Sequence, residues 1–165
     1  MSEYKLAKNT DDVRNYLKNA DIISFDFETA PNDEYRDEPM AAIDPHKSHI
    51  VGVSFSVKTG TGIYAPIAHK NTSLNIDMFE ILKEFANSLA VKIAHNLAFE
   101  TMFLYANGIF IKPPVYDTLL AAMMTMKSKT EFRTLSDSGL KTLVPQLLKV
   151  ELPKFEEVTA GKHFD

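Results

Sequence analysis

The stretch Ile22-Ile23-Ser24-Phe25-Asp26-Phe27-Glu28-Thr29 constrains the fold more than any other part of the chain. Its side chains alternate between apolar and polar, the period of a β-strand. Ile23, Phe25 and Phe27 point to one face, which helices must cover. Ser24, Asp26 and Glu28 point to the other. Residues two apart on a strand lie roughly 7 Å apart at the backbone, so the two carboxylates can converge on one ion. The apolar flanks place the strand at the centre of a sheet and largely buried. A buried carboxylate without a partner would take up a proton, whereas a divalent cation removes that cost and brings chemistry with it. Asp-x-Glu alone also fits an edge or strand end with solvated acids, so the pattern needs company.

Around this strand the elements read β, α, β, β, β, α, β, α, β, α, α, the order of a mixed sheet with helices packed on it. Tyr4-Lys5-Leu6 is a first short strand, and Asn9 caps a helix with Asp11 and Asp12 in its first turn. Residues 30–47 carry three prolines and read as a long acidic loop. His46 and His49 have no third ligand at a suitable spacing and read as a loop end and a strand start. Ile50–Val57 and Ile63–Pro66 form a hairpin across a Gly-containing turn, with Pro66 at the end of an edge strand. A helix over 75–89 follows, then a strand over 91–94 that ends at His95-Asn96. The next helix, 97–107, is closed by Gly108. Asp117 is the natural N-cap of a helix through Met126, whose methionines read as core filling. Gly139–Lys149 is the last helix.

At 165 residues the chain reads as one domain, 1–165, with a sizeable core. It has no cysteine, which excludes disulfides and thiolate metal sites and suits a reducing cytoplasm. The longest apolar run, Leu119–Met124, is too short to cross a bilayer, so no membrane partner is expected. A net charge of −4 argues against broad affinity for duplex DNA.

The second acidic candidate is His95-Asn96-Leu97-Ala98-Phe99-Glu100, at a strand end running into a helix. Read alone, Glu100 is equally an exposed acid that favours a helix N-terminus. Together, Asp26-Phe27-Glu28-Thr29 and His95-Asn96-x-x-Phe99-Glu100 resemble the first two motifs of the DEDD, ribonuclease H-like 3′→5′ exonucleases. The closer resemblance is to the proofreading domain of polymerase I-type (family A) DNA polymerases, in a phage-like form. Tyr64-Ala65-Pro66-Ile67-Ala68-His69, Tyr116-Asp117-Thr118 and Phe155-Glu156-Glu157-Val158 fall in that family's order, so the resemblance spans essentially the whole chain.

The resemblance implies an α/β, ribonuclease H-like mixed β-sheet flanked by α-helices. It implies two divalent cations, Mg²⁺ or Mn²⁺, held by Asp26, Glu28 and Glu100, with Asp26 shared by both ions and Glu100 acting mostly through water. It implies that Thr29, Asn96 and Phe155 position the 3′ end of single-stranded DNA, and that Asp117 caps its helix or supports the site from behind. A polymerase domain in the same polypeptide is the implied partner. A ribonuclease of the RNase D type shares the acid motifs and is the alternative enzyme. A non-catalytic fragment that binds metal or single-stranded DNA is the alternative outside enzymes.

Two departures qualify the match. Glu100 stands where the family usually has aspartate, which moves the carboxylate by about 1.5 Å. The family's last motif, tyrosine-x-x-x-aspartate, has no counterpart: Gly161 precedes Asp165 and Arg133 precedes Asp137 at the tyrosine position. The expectation is a domain truncated before that motif and lacking the last helix of the family fold. It would be impaired in catalysis and prone to self-association through the sheet face left exposed.

Overall fold

The computed structural model describes residues 3–70, 72–126 and 138–152. The chain divides into two compact units, one ending at Tyr116 and one beginning at Asp117.

The first unit carries the sheet. Its strands are β1 (Glu3–Leu6), β2 (Ile22–Pro31), β3 (Ser48–Ser56), β4 (Thr61–Pro66), β5 (Val91–Ala94) and β6 (Val115–Asp117), in the spatial order β1-β4-β3-β2-β5-β6. β2 runs antiparallel to β3 and parallel to β5; β3 runs antiparallel to β4, and β1 is parallel to β4. The acid-bearing strand is therefore central, and the sheet is mixed as its order along the chain predicts. β4 is not an edge strand, because β1 pairs with it from Thr61 to Tyr64. Pro66 is tolerated because that pairing stops before it, so its missing N–H is never asked for.

Helices α1 (Thr10–Leu17), α2 (Phe79–Asn87) and α3 (Leu97–Ala106) complete this unit. Asn9 caps α1 by accepting the Asp12 N–H at 2.9 Å, as the polar residue before an acidic first turn should. α2 begins four residues later than its apolar spacing suggests, because Asn75 is drawn into the preceding loop by two hydrogen bonds with the His69 backbone. α3 is closed by Gly108 in the left-handed region, φ 71°, where glycine alone carries no Cβ penalty.

The core lies on the Ile23–Phe25–Phe27 face of β2. Phe25 packs edge-on against Phe27 and Phe85, and Phe85 against Phe55. Lys92, from β5, is fully buried on this apolar side. Its ammonium donates to the carbonyls of Ser88 at 2.5 Å and Lys112 at 3.0 Å, tying the end of α2 to the approach of β6. A buried ammonium is tolerable only when so satisfied.

The long loop after β2 is ordered by its own contacts. β2 runs on to Pro31, and two single 3₁₀ turns follow at Asp33–Tyr35 and Ala41–Ile43. Lys70 reaches Asp33 at 2.6 Å, and Lys47 pairs with Glu38.

In the second unit, α4 (Thr118–Met126) starts from Asp117, whose Oδ1 accepts the N–H of Leu119 at 2.8 Å and of Leu120 at 3.4 Å. Met124 is 84% exposed, so it is not core filling as its sequence suggests. The last helix is α-helical only over α5 (Leu140–Leu143) and widens into a π-helical turn over Val144–Leu148. Pro145 stands in that turn and has no N–H to continue the α-helical ladder. Ala122 and Leu143 are buried together.

Candidate active site

The open face of the sheet is built from every second residue of β2 and its partners. Ser24, Asp26 and Glu28 are exposed, while Ile23, Phe25 and Phe27 beside them are buried. The strand is thus central but only half-buried, and its carboxylates are not enclosed as its apolar flanks suggest. Across the pair, Ser56, Ser54 and Gly52 oppose Ser24, Asp26 and Glu28. On β4, Tyr64 stands opposite Ser54. A depression of about 330 Å³ lies on this face, lined by Tyr4, Ser24, Asp26, Ser54, Ser56 and Tyr64 among others.

Although solvent reaches both acids, the surrounding protein crowds out enough water to matter. Desolvation pushes the Asp26 carboxyl above its ordinary value, and the nearby His95 imidazole offsets part of that rise. Desolvation likewise raises Glu28, and the Asp26 charge raises it further. These are the marks of two like charges held close in a poorly hydrated place. His95 reaches Asp26 through register: β5 pairs Ile93 with Ser24, so two residues further along brings His95 beside Asp26.

Such a pair favours an added positive charge. Two accessible carboxylates are a hard oxygen donor set, suited to Mg²⁺ or Mn²⁺ with water completing the shell. Among the described residues, no three His, Asp or Glu side chains are grouped so as to hold one ion. The residues therefore fit a divalent ion shared by Asp26 and Glu28, and a fuller shell needs water or substrate oxygens.

Glu100 is 1% exposed, on the first turns of α3. It is not the exposed helix-start acid that its sequence position also allows. Asn96 is exposed, and its backbone takes the left-handed conformation, φ 70° and ψ 53°, that turns the chain from β5 into α3. Asparagine is among the few residues that accept this region at low cost. Thr29 spends its hydroxyl on the Ala42 carbonyl at 2.6 Å, which pins the loop after β2. Asp117 caps α4 in the second unit. Phe155 lies outside the described residues.

Sequence reasoning passed over Tyr64 as a member of this face. Its hydroxyl is 2.6 Å from His69 Nε2. Burial, with a further contribution from the Glu28 charge, pushes its phenol up to about 12, so it stays protonated. The readable signal was Gly52, a lone glycine inside an apolar strand, which marks a close approach.

The raised carboxyls carry a stability consequence. A group whose folded pKa is raised contributes stability below its unfolded value and loses it as pH rises through the folded value. With metal removed by EDTA, Asp26→Asn/Glu28→Gln should therefore melt higher than the wild type at pH 7. The difference should close below pH 3.8, the ordinary value of the lower acid. Equal melting temperatures at pH 7 would show that the two charges are not in conflict.

A family model described as 3′-5′ exonuclease matches residues 5–163. DNA polymerase I of Chloroflexus aurantiacus is 28% identical over 146 residues, which cover 86% of this chain and 13% of that protein. DNA polymerase I of Borreliella burgdorferi is 30% identical over 134 residues, covering 79% of this chain and 13% of that protein. The chain thus spans about an eighth of the length of these relatives. Among solved structures, Brucella melitensis NrnC with bound Mg²⁺ superposes with a TM-score of 0.61 at 20% identity, over 92% of this chain and 64% of that one. Escherichia coli RNase D, an exoribonuclease involved in structured RNA processing, superposes with a TM-score of 0.63 at 16% identity, over 98% and 37%. At such identities the structural likeness speaks for the fold alone. No helix among the described residues is long and apolar enough to cross a membrane.

Proposed function

The chain belongs to the 3′-5′ exonuclease family, as found in DNA polymerase I, and from that membership we propose that Asp26 and Glu28 are its metal-binding acids, acting on the 3′ end of single-stranded DNA. The observation that supports this reading is the pair of accessible carboxylates two residues apart on the open face of a central strand, both raised by desolvation and Glu28 raised further by the Asp26 charge.

In this reading Asp26, Glu28 and the buried Glu100 would hold the divalent ions, Glu100 mostly through water. The ions, Mg²⁺ or Mn²⁺, would supply Lewis acidity and an ionised water at neutral pH. The chain's own residues do the rest. Asp26 and Glu28 hold the phosphate-binding charge in place. Asn96 presents an exposed side chain at the turn beside His95. Thr29, its hydroxyl already engaged, would meet the terminal nucleotide through its backbone. Phe155 would stack on the terminal base, a contact that tolerates any sequence and is worth roughly 1–3 kcal/mol. A polymerase domain in the same polypeptide is the partner the relatives suggest.

The assay uses protein in excess over oligonucleotide, so that a single turnover is enough to be read. A single-stranded DNA labelled at its 5′ end should shorten stepwise from the 3′ end in Mn²⁺ and stay intact in EDTA. A 3′-phosphorylated copy should resist. Shortening of an RNA copy alone would assign the chain to the ribonuclease reading, and cleavage from the 5′ end would overturn both.

A further inference from the structure

Glu28 faces Gly52 across the β2–β3 pair. Partners in an antiparallel sheet present their side chains on one face, with Cβ atoms about 4.5–5.5 Å apart. Gly52 has no side chain to present. A Cβ placed there would lie 1.8 Å from the Tyr64 hydroxyl oxygen and 2.3 Å from the ring carbon bearing it. The Tyr64 hydroxyl thus occupies the place of the side chain that Glu28 would otherwise meet.

This placement is built from several directions. Tyr64 Oη is 2.6 Å from His69 Nε2, and the two rings meet edge-on at 5.8 Å. The His69 N–H donates to Asn75 Oδ1 at 3.0 Å, and Asn75 Nδ2 donates back to the His69 carbonyl at 2.8 Å. The turn that delivers His69 is held by the Val51 carbonyl, which accepts the N–H groups of Ile67 at 2.8 Å and Ala68 at 3.1 Å. Val51 is the residue passed over where the register shifts, from Glu28 opposite Gly52 to Thr29 opposite Ile50. Such bulges re-aim side chains beside functional sites. A ring in this place needs the glycine whether it is tyrosine or phenylalanine; packing alone would need neither the hydroxyl nor the histidine beside it.

We propose that Tyr64, oriented by His69, is a positioning residue for Glu28, its hydroxyl holding the carboxylate in the direction from which it shares a divalent cation with Asp26. The role requires His69 to carry its proton on Nε2 and donate it to the phenol oxygen, which leaves the phenol hydrogen for Glu28. One rotor is fixed at each step, as outer partners of metal ligands commonly do. The inference rests on the reading of Asp26 and Glu28 as metal-binding acids.

Mn²⁺ titration of the whole chain, followed by electron paramagnetic resonance without substrate, tests both levels separately. Asp26→Ala should abolish the binding seen in the wild type. Tyr64→Phe keeps the ring and removes only the hydroxyl; it should weaken Mn²⁺ binding by about tenfold. Gly52→Ala, which displaces the phenol, should match it. His69→Ala should weaken binding similarly, and His69→Gln, which restores an N–H donor, should recover most of the loss. If Asp26→Ala loses Mn²⁺ while Tyr64→Phe and His69→Ala bind like the wild type, the positioning role is wrong and the acid pair stands. Wild type and Asp26→Ala titrating alike would overturn both. Should Tyr64→Phe fail to fold, the two His69 variants decide the matter by themselves.

Discussion

Asp26→Asn should slow Mn²⁺-dependent digestion of single-stranded DNA by about a hundredfold or more, while leaving the folded protein at least as stable as before. The two halves of that expectation come from one physical fact. Asp26 sits where desolvation opposes its charge. A charge kept in an unfavourable place costs stability, and removing it with an amide of the same shape relieves the cost. The same charge is what the proposed site uses. Without it the site keeps one accessible carboxylate, Glu28, and its hold on a cation and on the attacking geometry fails. Misplacement of the reacting groups alone can cost on the order of a hundredfold. Single-turnover rates on a 5′-labelled oligonucleotide, with melting temperatures measured in EDTA, report the halves independently. A variant that digests DNA like the wild type would remove Asp26 from the site. One that melts well below it would make Asp26 a structural residue.

That opposition also explains how much of the site could be read from the sequence. The alternation over Ile22–Thr29 fixes which residues share a face, because the strand period is two whatever the strand pairs with. The mixed sheet and the caps at Asn9 and Asp117 follow from equally local rules. What escapes is set by register. Nothing local says that Gly52 stands opposite Glu28, that a shift at Val51 changes the pairing, or that Tyr64 fills the gap. His95 meets Asp26 only because β5 lies beside β2 in parallel. Burial misleads in both directions. Asp26 and Glu28 are exposed despite their apolar flanks, since the core of the first unit packs on the Ile23–Phe25–Phe27 face of β2. Glu100 is buried despite its place in a first helical turn. Tertiary packing decides both, and a periodicity carries no information about which face receives a neighbour. Phe155, the aromatic that the family resemblance places at the terminal base, lies outside the described residues and rests on the resemblance alone.

The covered face of β2 should show the largest stability effect. Phe85, on α2, is 2% exposed and meets Phe25 at 4.8 Å and Phe55 at 5.1 Å between ring centroids, both edge-on. It is the one ring among these three that comes from the helical layer, so it joins α2 to both β2 and β3. Phe85→Ala removes the buried ring and leaves a cavity that two strands and a helix cannot close without breaking their own pairing. Such truncations cost about 3–5 kcal/mol, and edge-on aromatic pairs add roughly 0.5–1.5 kcal/mol each beyond their buried area. Against a total stability of about 5–15 kcal/mol, that is a large share. Urea unfolding should show a much lower midpoint with an unchanged slope, since the surface exposed on unfolding is nearly the same. The acid face should respond less. Phe25 loses its support from behind, but Asp26 and Glu28 keep their strand pairing to β3. Mn²⁺ affinity per folded molecule should therefore stay close to that of the wild type. A loss of unfolding free energy under about 1 kcal/mol would mean that the ring does not carry the packing of this core. A lost Mn²⁺ site in protein that is still folded would mean that the two faces of β2 are mechanically coupled.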